Sequence, residues 1–294
     1  MSETVTITLT RYREPDWLVR ETLASLAAQE AVAGEVIFLD QNWSESFAKE
    51  VADFSTEQLC VRAEPCEEKG LSHARNLGLD ISKTDIVLFI DPDAIASPKW
   101  AAKLAQALNR EGVAVAGSRI LPEWKGRRPL VTRSRVVLDQ YSVLDWGEGT
   151  IDAPRVVGAG FGVCKSAAPT EIYFDEALGR RDGKLFGGEE SDLCERIRAK
   201  GLNVIYCGGA IVYHQILPER LSWRWALQRL YFAGLGRAQR GGTPSPAHRP
   251  GFWDFALLPV ILPFYLAGYL RARLFCQKRA RTSRRHEREA FARQ

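Results

Sequence analysis

Two carboxylates, Asp91 and Asp93, directly follow the apolar run Ile86-Val-Leu-Phe-Ile90, with Pro92 between them. Acids two positions apart at the end of an extended segment reach toward one point. The pair therefore suits a single hard cation, Mg2+ or Mn2+, that bridges to the oxygens of a phosphorylated substrate. A second acidic cluster, Glu189-Glu190-Ser191-Asp192, opens a stretch of helical character. Carboxylates favour the positive end of a helix dipole, so capping and solvation are one account of this cluster. The other is proton chemistry: three acids in four positions exceed what a cap uses. Glu190 is then the candidate base for an incoming hydroxyl, supported by Glu189 and Asp192. His214, in Val212-Tyr-His-Gln215, is either a neutral imidazole ligand of the same cation or a satisfied structural histidine. His248 and His286 lie in a Gly/Pro-rich linker and a basic tail, and neither suggests catalysis.

Positioning these groups requires a particular kind of scaffold. Apolar runs at Val5–Leu9, Val36–Leu39, Leu59–Val61, Ile86–Ile90 and Val113–Val115 alternate with helical segments, which predicts a Rossmann-like α/β fold, a mostly parallel sheet flanked by helices. Such sheets bind nucleotides beyond the carboxyl ends of their strands, where Asp91 and Asp93 would sit. One helix is expected near Asp16 to Ala28, with Val19, Leu23 and Leu26 on its buried face. A second should start at Ser97-Pro98 and bury Trp100, Leu104 and Leu108. Residues 122–154, mixed in Arg, Trp, Gly and Pro, read as irregular structure where an acceptor could be recognised. The run Val156-Val-Gly-Ala-Gly-Phe-Gly-Val163 reads as a glycine-rich strand. Its glycines, Gly160 among them, either admit a ligand close to the backbone or form a turn or bulge. A helix near Glu189 to Lys200 and a strand over Asn203–Tyr206 follow.

Taken in order, these segments resemble the family 2 glycosyltransferases over about residues 4 to 235. Val5–Tyr12 is similar to the family's opening strand with its aromatic, and Glu35–Asp40 to its second strand with a terminal aspartate. Gly70-Leu-Ser-His-Ala-Arg-Asn76 resembles the segment beside the nucleotide, and Phe89–Ala94 with Ser97–Trp100 the metal motif and following helix. Phe174-Asp-Glu176 and Gly187–Leu193 with Arg196 resemble the base-bearing motif. The resemblance implies a metal-dependent, inverting transferase of the glycosyltransferase A type. Tyr12, Asp40, Arg75 and Asp91 would bind the nucleotide, with Asp40 on the base and Asp91 on the ribose or metal. Asp93 and His214 would hold the cation, Glu190 would serve the acceptor hydroxyl, and Gly160, Glu189 and Asp192 would support the site. Three positions depart from the pattern: Arg11 replaces a small hydroxylated residue, Asp40-Gln-Asn-Trp-Ser44 replaces Asp-Asp-Gly-Ser, and Glu190 replaces an aspartate.

The chain of 294 residues carries a net charge of +4, yet residues 271–294 hold nine Lys/Arg against two Glu, which leaves the body at −3. That distribution argues against a nucleic-acid surface and for a basic tail that is either simply solvated or drawn to anionic lipid. Before it, residues 252–270 are almost wholly apolar and close to spanning length, interrupted by Pro259 and Pro263. A single crossing would place the basic tail opposite the catalytic body, so an interfacial or re-entrant element is expected, the alternative being a helix packed on the domain or on a second copy as a homodimer. The expected organisation is a catalytic domain over 1–240, a linker over 241–251, a membrane-associating segment over 252–275 and a basic tail over 276–294. The six cysteines lack zinc spacing, and the start lacks a secretory pattern. The expected location is therefore cytoplasmic, peripheral or monotopic on the inner membrane face. The function expected is transfer of a sugar from a nucleotide-sugar donor to a saccharide or lipid-linked acceptor in cell-surface polysaccharide or glycolipid synthesis. A nucleotidyltransferase making activated sugars and a noncatalytic membrane-tethered module on the same fold are the alternatives.

Overall fold

The computed structural model describes residues 3–179, 187–240 and 251–291, without the side chains of 239, 240 and 275–291. In chain order the elements are β1 (Glu3–Arg11), α1 (Asp16–Ala27), β2 (Val32–Asp40), α2 (Glu45–Ala52), β3 (Leu59–Pro65), α3 (Leu71–Ile81), β4 (Ile86–Ile90), β5 (Ala94–Ala96), α4 (Trp100–Leu108) and β6 (Val113–Trp124). Then come α5 (Arg135–Leu138), β7 (Thr150–Asp152), β8 (Gly160–Cys164), α6 (Glu189–Ala199), β9 (Asn203–Ile216), α7 (Trp223–Arg240) and α8 (Phe252–Phe291). They divide into two compact units, one of residues 1–128 and 141–218, the other of 129–140 and 219–294.

The first unit holds a mixed sheet in the order β3-β2-β1-β4-β8-β6-β9-β5, with β7 paired to β9. Strands β1 to β4 pair in parallel, so their carboxyl ends, Arg11, Asp40, Pro65 and Ile90, lie along one edge. Strand β8 then runs antiparallel to both β4 and β6. Burial on both faces explains why β4 reads as one unbroken apolar run rather than an alternation. Ile86, Leu88 and Ile90 join a core with Val19 and Leu23 of α1 and Trp100 and Leu104 of α4. Val87 and Phe89 join the opposite core with Leu193 and Ile197 of α6.

Local differences from the sequence reading have identifiable causes. Helix α4 starts at Trp100 rather than Ser97, because Ser97 and Pro98 form a turn in which the Trp100 N–H donates to the Ser97 carbonyl at 2.9 Å. Residues 122–154 are not wholly irregular: β6 continues to Trp124, and α5 and β7 lie within the range. Strand β9 runs on to Ile216, well past Tyr206, because it pairs with β6 out to Ile216 and with β5 over Val212–His214.

The second unit contains α7 and α8. Pro259 and Pro263 lie inside α8 without ending it, a correction to the expected interruption. Each proline removes one backbone donor, but close packing on α7 holds the axis together. A Cβ at Gly234 would come 2.0 Å from the Tyr265 carbonyl oxygen, and one at Gly268 would come 1.9 Å from that of Tyr231, so the two helices cross backbone to backbone. Asp254 anchors the start of α8, accepting from the Ser134 hydroxyl at 2.7 Å and the Gly251 N–H at 2.7 Å. Among the described residues, Phe252–Leu274 is the one helical stretch long and apolar enough to cross a membrane. Residues 241–250 of the linker, His248 among them, and the side chain of His286 lie outside the described residues.

Candidate active site

The site is organised around Arg75, a residue of α3 whose guanidinium is only 2% exposed. Helix α3 is set in place at its start by Gly70, whose φ of +148° excludes other residues. The Gln41 side-chain amide clasps Gly70 in both directions, donating to its carbonyl at 2.9 Å and accepting from its N–H at 3.2 Å. This joins the end of β2 to the helix.

From α3, Arg75 donates to Glu190 at 3.0 Å and to Glu189 at 3.2 Å through one nitrogen, and approaches Asp91 at 3.4 Å through the other. Its planar face rests on two rings, with the guanidinium carbon 5.3 Å from the Phe161 centroid and 5.5 Å from that of Phe174. Phe161 stacks on Phe89 in turn, and Phe174 meets Phe89 edge to face. Arginine suits this position because one planar cation meets several carboxylates and aromatic faces at once. The two acidic motifs read from the sequence are thus joined by a single cation.

Titration in this cluster follows from burial and the shared guanidinium. Burial, with Glu190 alongside, pushes the Glu189 carboxyl up to about 7. Burial would also raise Glu190, but Arg75, its own backbone N–H and Glu189 outweigh it and hold Glu190 below the ordinary carboxylate value. The pair therefore keeps one proton near neutrality, on Glu189, and Glu190 is the ionised member.

Beside this cluster, the second half of the acidic pair meets His214. Strand β5 pairs antiparallel with β9 so that Ala94 faces His214 in register, and the Gln215 N–H donates to the Asp93 carbonyl at 2.8 Å. His214 Nε2 lies 3.3 Å from Asp93 Oδ1, both side chains 5% exposed or less. Neighbouring ligands on one octahedral ion stand about 3 Å apart for metal–ligand bonds near 2.1 Å. A carboxylate with an imidazole is a donor set that divalent cations accept. Asp93 and His214 thus fit a divalent cation.

The remaining expected residues are placed as follows. Tyr12 follows the end of β1 at the carboxyl edge, its N–H donating to Glu14 at 2.9 Å and Arg13 lying over its ring. Asp40 ends β2 and is buried against Arg11. Asp192 accepts from Arg196 at 2.8 Å one helical turn on, and Arg196 also donates to the Tyr173 carbonyl at 2.6 Å, which secures the chain leading to Phe174. Gly160 lies in the sheet, where Val212 and Ser118 occupy the space a side chain would need.

The glycine that meets the acidic cluster is Gly158, two positions earlier, which the sequence reading did not single out. A Cβ there would stand 2.2 Å from Glu190 Oε1 and 2.6 Å from Arg75 Nη2. Gly158→Ala is expected to displace the Glu190 carboxylate and lower turnover by about a hundredfold, as misplacement on the ångström scale does. Transfer assays paired with thermal melting check this, and unchanged turnover in the folded variant would remove Gly158 from the site.

Comparison with known proteins agrees with this architecture. The family model described as glycosyl transferase family 2 matches residues 6–168. The chain belongs to glycosyl transferase family 2. It is therefore a nucleotide-sugar glycosyltransferase. This family 2 transferase is 26% identical over 221 residues to the glucosyl-dolichyl phosphate glucuronosyltransferase of Haloferax volcanii, covering 74% of this chain and 70% of that one. It is 27% identical over 230 residues to the succinoglycan biosynthesis protein ExoM of Rhizobium meliloti, covering 76% and 70%. Among solved structures, the mannosyltransferase PcManGT from Pyrobaculum calidifontis, in complex with GDP-Man and Mn2+, superposes with a TM-score of 0.59 at 19% identity, covering 92% of this chain and 74% of that one. GalNAc-T7 with UDP, GalNAc and Mn2+ superposes with a TM-score of 0.58 at 14% identity, and this chain spans 54% of its length. At those identities the structural likeness speaks for the fold.

Proposed function

We propose that this transferase moves a sugar from a nucleoside-diphosphate donor to a hydroxyl of a saccharide or lipid-linked acceptor, with inversion, using a divalent cation. The observation that carries the proposal is the bridging of Asp91 and Glu190 by Arg75, which brings the two acidic motifs to one locus at the carboxyl edge of the sheet. Asp93 and His214 would hold the cation, and Asp91, Arg75 and Tyr12 would lie along the nucleotide. When bound, the cation supplies positive charge to the diphosphate as it leaves. Glu190, kept ionised, takes the proton of the acceptor hydroxyl as its oxygen bonds to the anomeric carbon and the carbon–oxygen bond to the diphosphate breaks. Attack on the face opposite the leaving group gives the inversion. Glu189 and Asp192 support Glu190, one by holding the shared proton and the other by fixing Arg196.

Calorimetry with nucleoside diphosphates in Mn2+ and in Mg2+, followed by product analysis with the matching sugar nucleotide, tests the proposal. Metal-dependent binding and a transferred sugar are expected, with release of nucleoside diphosphate rather than pyrophosphate. Pyrophosphate release from a nucleoside triphosphate would overturn it.

A membrane-bound acceptor fits the second unit. Phe252, Phe255, Leu262, Phe264, Leu270 and Leu274 of α8 are exposed, and the nine bases of 271–294 follow them. Apolar insertion and attraction to anionic headgroups would act together on the cytoplasmic face, at about 1 kcal/mol per basic residue near the surface. The intact chain is expected to float with phosphatidylserine liposomes and to do so less at high salt. A chain that stays with the dense fraction and sediments as a dimer would assign α8 to a second copy instead. The names of the two curated relatives support synthesis of a cell-surface polysaccharide or a lipid-linked glycan as the setting.

A further inference from the structure

The end of β2 carries a feature that bears on which donor this site takes. Arg11 and Asp40 are partners in the parallel register of β1 and β2. Arg11 Nε donates to Asp40 Oδ1 at 2.9 Å, and Nη2 donates to Oδ2 at 2.5 Å, a bidentate pair. The Asn42 N–H adds a second bond to Oδ1 at 2.8 Å. The side chains of Arg11 and Asp40 are 1% and 2% exposed. Arg11 is held on its other sides too, by Asp16 through Nη1, by the Asn42 carbonyl at 3.3 Å, and by the Phe47 ring, 4.5 Å from the guanidinium carbon.

We infer that the Arg11–Asp40 pair closes Asp40 to the nucleobase, which makes Arg11 a specificity-determining residue of the donor site. The inference rests on the reading of this sheet edge as a nucleoside-diphosphate site. A free carboxylate here could read uracil or guanine by accepting from the ring N–H that those bases carry and cytosine and adenine lack. Here a base would have to displace a charge-assisted bidentate bond and leave a buried guanidinium without its main partner, which is heavily disfavoured. Base recognition therefore falls to ring faces and other edges. The small hydroxylated residue usual at position 11 in the resembled pattern could make no such pair.

Calorimetry in Mn2+ with UDP, GDP, CDP and ADP tests this on the wild type, on Arg11→Thr and on the paired Arg11→Met/Asp40→Leu variant, each checked for folding by thermal melting. The paired variant replaces a buried ion pair by apolar groups of similar volume, a change that proteins often tolerate. It is expected to keep the wild-type order of the four affinities to within about threefold. Arg11→Thr, where folded, is expected to gain about tenfold for UDP and GDP over CDP and ADP, the value of one hydrogen bond to a charged group. A paired variant that loses about tenfold for UDP or GDP, with CDP and ADP unchanged, would overturn the inference while leaving the donor site standing. Failure of all four to bind the wild type would remove the donor-site reading and this inference together.

Discussion

Glu190→Gln is expected to bind nucleoside diphosphate as the wild type does and to lose about three orders of magnitude in transfer rate, within the range of a deleted general base. Glutamine keeps the shape and accepts a hydrogen bond from Arg75, so the guanidinium retains Asp91 and Glu189 and the locus stays assembled. What glutamine cannot do is take a proton. The loss should therefore fall on kcat, with KM for the donor little changed. The neighbouring Glu189 is a poor substitute, because its side chain is only 3% exposed and already engaged by Arg75. Rapid-mixing assays of product formation, with calorimetry for the diphosphate, separate the two effects. Near-normal turnover by a folded Glu190→Gln variant would pass the role of base to another residue.

Asp93→Ala is expected to weaken diphosphate binding in Mn2+ by about a hundredfold or more, and to leave the residual binding in EDTA unchanged. Loss of an outer-shell partner alone costs a metal site about ten- to a hundredfold, so loss of a ligand sets a floor at the top of that range. The bond from the Gln215 N–H to the Asp93 carbonyl uses backbone only, so β5 and β9 should remain paired in the variant. His214→Ala should produce the same pattern, since its Nε2 lies 3.3 Å from the Asp93 carboxylate. Equal affinity in Mn2+ for wild type and Asp93→Ala would free Asp93 of the cation.

The parts of this molecule set by short-range pattern were legible before the structure. β4 reads as a doubly buried strand because both faces carry apolar residues, and α1 starts and stops within a residue of its expected range because its apolar spacing is regular. Features fixed by distant partners were not. Nothing local to Arg75 announces that it is fully buried between Asp91, Glu189 and Glu190, since its cost of burial is met by carboxylates 16 to 115 positions away. Choosing Gly158 over Gly160 likewise depends on which glycine faces α3 and α6, a matter of register rather than composition. The role of Arg11 was half visible: its departure from the pattern could be read, but the bidentate pair that gives the departure meaning arises only when β1 and β2 align. For α8, the proline rule failed because it weighs lost backbone donors and omits the glycine crossing with α7.

Arg75 touches Asp91, Glu189 and Glu190, and Asp93 stands close by in sequence with another negative charge. With the proton on Glu189, these five groups together sum to about two negative charges. An incoming diphosphate that travels alone is repelled by that field, whereas one escorted by a dication is not. Loading should consequently be ordered, ion first or ion and sugar nucleotide as one complex.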